Sequence, residues 1–96
     1  NQRAAMEFIY PYPNEEILLP LDFDEQVGEV IFTLAHRNAE SEVHWYLDDR
    51  YLSSTRNIHE LAVSPKPGTY LLTVVDQDGR RLEQKVEIKR ARKEVP

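Results

Sequence analysis

The sequence predicts an all-β fold, an immunoglobulin-like antiparallel β-sandwich of seven to eight short strands. Three observations point there. Apolar residues alternate with period two along most of the chain, and helical periodicity is nearly absent. β-Branched and aromatic residues concentrate in those alternating runs. Turn-forming residues punctuate them: Pro65, Pro67 and Gly68 before one run, Asp78-Gly79 after it. A chain of 96 residues fits one such domain with one modest core.

The elements follow in order. "EFIY" (Glu7–Tyr10) and "EILLP" (Glu16–Pro20) read as brief strands flanking "PYPNE". In "EVIFTLAHR", Val30, Phe32 and Leu34 share one face, and Ile31, Thr33 and Ala35 the other. "EVHWYLD" places Val43, Trp45 and Leu47 inward, with His44, Tyr46 and Asp48 outward. "RYLS" (50–53) is a short strand after the "LDD" turn. "IHELAV" (58–63) reads as a strand with Leu61 and Val63 inward and Ile58 out of phase. "STRNIHELAV" is the one stretch that could instead hold a helix, capped by Ser54 or Thr55. "TYLLTVVD" is apolar on both faces, as a central strand requires. "RLEQKVEIK" sets Leu82, Val86 and Ile88 against Glu83, Lys85, Glu87 and Lys89, a half-exposed strand.

Trp45 is expected as the central ring of the core, with Phe32, Leu72 and Val74 around it. Tyr70 follows the Pro67-Gly68 bend. It fits the strand-corner tyrosine of immunoglobulin-like sandwiches, whose ring joins the core while its hydroxyl returns to nearby backbone.

Composition narrows the function classes. A net charge of −5 gives no electrostatic reason to bind nucleic acid or anionic lipid, and no cofactor is expected. The absence of cysteine excludes disulfides, thiolate metal sites and a cysteine nucleophile. No apolar run approaches the ~20 residues of a membrane helix, so no direct membrane insertion is expected. The basic run Lys89–Lys93 reads as a solvated strand end, and a start at "NQRAAMEF" without initiator Met reads as a fragment of a longer protein. The expected division is an N-terminal flank 1–6, the sandwich domain 7–89 and a C-terminal tail 90–96.

"VHWYLDDRYL", followed after a gap by "SPKPGTYLLTVVDQDGRRLEQKVEI", resembles the C-terminal domain of penicillin-binding protein 1C. "FIYPYPNEEILLP" resembles the opening of that family, and the likeness spans about residues 7–89. Asp49 stands where the family usually has glycine, and Asn14-Glu15 replace a glycine-bearing turn. The resemblance implies an accessory, non-catalytic domain of a periplasmic, inner-membrane-anchored, bifunctional peptidoglycan synthase. The implied partners are the transpeptidase module of the same chain, an envelope protein or peptidoglycan. A stand-alone secreted carbohydrate-binding or adhesion module of the same fold is the alternative. The parent's transpeptidase motifs do not occur here: "SSTR" has Arg56 where lysine is needed, and Lys66 is followed by proline.

Candidate chemistry is sparse. His36, His44 and His59 lack metal-ligand spacing and are expected on solvent faces or strand edges. Ser53, His59 and Asp48 form a triad on paper but lack a nucleophile elbow. "DQDG" opens like a calcium loop, yet the glutamate twelve positions from Asp76 is Glu87, on a strand beyond a hairpin; a tight turn is the expected use. "DFDE" (Asp22, Asp24, Glu25) leaves calcium between sandwich loops open. The sharpest candidates are Tyr46, Tyr51 and Tyr12, tyrosines the core does not need. Tyr46 and Tyr51 are expected to share an outward face near the Asp48-Asp49 turn, where exposed rings stack on sugars or anchor a protein.

Overall fold

The computed structural model describes residues 4–19 and 28–90. "DFDE" lies outside them. The described residues form eight strands: β1 Met6–Tyr10, β2 Glu16–Leu19, β3 Val30–His36, β4 Val43–Leu47, β5 Arg50–Thr55, β6 Glu60–Val63, β7 Gly68–Asp76 and β8 Arg81–Arg90. They make two sheets, ordered β1-β3-β6 and β2-β8-β7-β4-β5. The all-β, immunoglobulin-like reading therefore holds.

Period-two patterning builds the core directly. β3 alternates Val30, Phe32 and Leu34 inward, and β4 alternates Val43, Trp45 and Leu47. Trp45, Phe32, Leu72 and Val74 are fully enclosed, at 0% exposure. The central position expected for β7 is realised, since it pairs with β8 on one side and β4 on the other. Burying such side chains contributes about 1.5–3 kcal/mol each.

Tyr70 makes the corner. Its hydroxyl donates to the Lys66 carbonyl at 2.6 Å while its ring packs on the core. Gly68 carries a φ of 155°, which side-chain-bearing residues rarely adopt, and the Tyr70 ring lies over it at 3.6 Å from where a Cβ would stand. The "DQDG" segment is a hairpin turn: Gly79 N–H donates to Asp76 O, Asp76 N–H to Arg80 O, and Gly79 takes a φ of 84°.

Three details differ from the sequence reading. The sandwich is not purely antiparallel, because β2 pairs in parallel with β8. The chain leaves the three-stranded sheet after β1, passes through buried Pro11 and joins the other sheet's edge, so it runs alongside β8 in the same direction. "STRNIHELAV" holds no helix: β5 extends to Thr55, and β6 begins only at Glu60, leaving Ile58 exposed. His36 and His59 do not lie on solvent faces. His59 is 4% exposed, and the His36 side chain 1%.

Candidate functional site

Two sets of polar side chains divide the molecule. The first is interior. Trp45 Nε1–H donates to Thr55 Oγ1 at 2.9 Å, and Thr55 Oγ1 lies 2.7 Å from His59 Nδ1. His59 Nε2 lies 2.9 Å from the Ala39 carbonyl. Indole only donates and carbonyl only accepts, so the proton order follows: His59 carries its hydrogen on Nε2, and its bare Nδ1 accepts the Thr55 hydroxyl. This chain ties β4 and β5 to the β3–β4 loop. Burial pushes the His59 pKa below its ordinary value, with a smaller contribution from nearby His36; the Ala39 bond acts in the opposite sense.

Beside it, His36 Nδ1 accepts the Asn38 backbone N–H, so its Nε2–H donates to Asp76 Oδ2 at 2.9 Å. Asp76 Oδ1 accepts the backbone N–H groups of Asp78 and Arg80. Burial alone would raise the Asp76 pKa. The His36 bond, the two backbone bonds and the Arg80 charge outweigh it and hold the carboxyl below its ordinary value. The aspartate that opens "DQDG" is thus consumed by the turn it builds. Ser53, His59 and Asp48 do not meet: Ser53 Oγ donates to Ser54 O, His59 faces Thr55, and Asp48 bonds Leu71. Among the described residues no group of three His, Cys, Asp or Glu is placed to hold a metal ion.

The second set lies on the outer face of the five-stranded sheet. Simple alternation would point Tyr51 the same way as Ser53 and Thr55. A bulge between Trp45 and Tyr46 resets the register, pairing Trp45 with Ser53 but Tyr46 with Tyr51. Tyr51 thereby reaches the outer face beside Tyr46, ring edge to ring face at 5.4 Å. His44 Nδ1 meets the Tyr51 hydroxyl at 3.3 Å, and Glu42 stands 3.6 Å from His44 Nε2. The β4–β5 turn is pinned as well. Asp48, at a φ of 53°, donates its N–H to Leu71 O and accepts Leu71 N–H on Oδ1. Asp48 rather than Asp49 carries the positive φ. Tyr12 is exposed on the β1–β2 loop, ahead of the edge strand opposite β5, and has no ring contact with Tyr46 or Tyr51.

These elements enclose a depression of about 320 Å³ lined by Tyr46, Asp48, Asp49, Thr73, Val75 and Arg81. Thr73 is its distinctive member. It is 3% exposed, flanked in register by Tyr46 and Glu83, and its hydroxyl has no hydrogen-bond partner. An unmade bond at a buried hydroxyl costs about 1–3 kcal/mol. Ser41 Oγ is also unpartnered but lines neither this depression nor the wider cleft beside it. A wider cleft of about 740 Å³ lies across the Asp48-Asp49 turn, toward Lys66 and Tyr70, where the Tyr70 hydroxyl and Asp48 are already bonded. Sequence reasoning placed Tyr46 and Tyr51 together on the outer face, as the structure has them, and did not single out Thr73 or Arg81 beside them. The available signal was one polar residue in the outward phase Leu71-Thr73-Val75.

Comparison with known proteins adds to this geometry. The model of the Penicillin-Binding Protein C-terminus Family matches residues 1–88. No curated protein matches the chain. Among solved structures, the fibronectin(III)-like modules of Clostridium thermocellum CbhA are similar in fold, with a TM-score of 0.64 at 16% identity over 91% of this chain and 99% of that one. A Bacteroides ovatus mixed-linkage glucan utilization locus protein, SGBP-B, solved with a mixed-linkage heptasaccharide, gives a TM-score of 0.48 at 20% identity. The match covers 100% of this chain and 28% of that one.

Proposed function

The chain belongs to the penicillin-binding protein C-terminus family, and from that premise we propose that it is a non-catalytic accessory domain of a bifunctional peptidoglycan synthase of the penicillin-binding protein 1C type. In this reading it works in the periplasm, within an inner-membrane-anchored protein, and acts by surface contact. The contact is with the transpeptidase module of the same chain, with another envelope protein or with peptidoglycan. No bond is made or broken by this domain.

The family match over residues 1–88 carries the reading. The disposition of the polar side chains supports it. His36, His59 and Asp76, the residues best suited to acid–base work, spend their hydrogen bonds on holding turns and loops. What faces outward is a rigid tyrosine pair beside a pinned turn, a surface suited to contact.

The test is truncation of the parent synthase just before this domain. The reading expects the truncated enzyme to keep acylation by labelled penicillin while losing cross-linking output on native sacculi. It expects the isolated chain to show no acylation and no turnover of lipid-linked precursor. Turnover by the isolated chain, or unchanged sacculus output without it, would overturn the reading.

A further inference from the structure

We propose that the depression on the outer face of the five-stranded sheet is a sugar-binding subsite, taking one ring of a neutral glycan. This rests on the accessory-domain reading above and gives it a ligand.

Three observations lead there. The Thr73 hydroxyl is buried among the lining residues without a partner, and a hydroxyl that neither gives nor receives a bond is matched by a small, uncharged, bifunctional group. A sugar hydroxyl is such a group. The lining also carries both signs of charge, Asp48 and Asp49 against Arg81. A site for a lone cation would not hold a guanidinium, and a site for an anion would not hold two carboxylates. Carboxylates accept from hydroxyls and amides, and a guanidinium donates to ring and hydroxyl oxygens, so a polyhydroxylated neutral ring satisfies both. Finally, Tyr46 supplies a planar apolar wall whose angle is set from behind by Tyr51 and, through it, by His44. A rigid aromatic wall beside a polar floor matches the two-sided character of a pyranose, apolar C–H on one face and hydroxyls at the rim.

Roles divide accordingly. Tyr46, Thr73, Asp48, Asp49 and Arg81 touch the sugar. Tyr51 and His44 are positioning residues. Arg81 arrives already held, its guanidinium 3.1 Å from the Glu83 carboxylate, so binding does not have to order it.

The experiment titrates a β-1,4-linked N-acetylglucosamine tetrasaccharide, and separately a β-1,4-linked glucose tetrasaccharide, into the 96-residue chain, following backbone amide shifts and calorimetric affinity. Shifts are expected at Tyr46, Asp49, Thr73 and Arg81. Thr73→Val keeps the shape and removes the hydroxyl, and is expected to weaken binding roughly three- to tenfold without loss of stability. Tyr46→Ala is expected to weaken it about tenfold or more. Wild-type affinity in both variants overturns the proposal. So does binding that maps to other residues, or no binding of either glycan, with water as the sole partner of Thr73. If neither glycan binds but truncation still lowers the parent's sacculus output, the subsite falls and the accessory role stands.

Discussion

The interior chain of Trp45, Thr55, His59 and Ala39 and the outer depression around Thr73 hold similar chemistry to opposite effect. Along that chain every donor meets an acceptor in an order that fixes the proton on His59, and the result ties a sheet to a loop. On the outer face, the hydroxyl of Thr73, a residue more deeply buried than Thr55, meets no protein group. A residue's type therefore does not assign its role; the count of its satisfied bonds does. Histidine and aspartate, the groups first suspected of chemistry, hold turns and loops here, while an unremarked threonine lines the outer depression.

Substitutions sharpen that contrast, from the largest effect downward. Trp45→Ala removes the central ring and the donor to Thr55 Oγ1, leaving Thr55 its bond to His59. It is expected to cost about 3–5 kcal/mol, enough to unfold a domain whose whole stability is on the order of 5–15 kcal/mol. Circular dichroism with urea titration measures it. Asp76→Ala leaves His36 and two backbone N–H groups unmet and is expected to cost about 3 kcal/mol, with faster amide exchange at Asp78 and Arg80.

Acid is expected to act on the interior in two stages. The His59 pKa is depressed in the folded state, so its contribution is complete above the ordinary value of 6.5 and is lost as pH falls through the lower folded value. Asp76 is likewise depressed. Its contribution holds above 3.8 and is lost as pH falls through its own folded value. His59→Gln should remove the first stage and leave the second, as read from melting temperature against pH. Tyr70→Phe breaks only the corner bond to Lys66, for about 1 kcal/mol.

Much of the scaffold was legible because alternation is a local signal. β3, β4, β7 and β8 follow it, and the Tyr70 corner follows from Pro67-Gly68. The interior histidines were legible too, though the sequence reading sent them outward. His36 continues the inward phase of Val30, Phe32 and Leu34; Asp76 that of Leu72 and Val74; His59 that of Leu61 and Val63. Parity was the better guide than polarity. Three features were not legible. The bulge that turns Tyr51 outward, the passage of β2 to the far sheet and the burial of Thr73 all depend on which strands become neighbours, and that is a property of the assembled sheets.

The central claim is that polar groups inside serve the fold while the outer hydroxyl serves a contact. Equilibrium urea unfolding of Asp76→Ala and Thr73→Val, side by side with the parent chain, tests it most directly. The account predicts a loss of about 3 kcal/mol for Asp76→Ala, and for Thr73→Val no loss or a gain of up to about 1 kcal/mol. Equal losses in the two variants would contradict it.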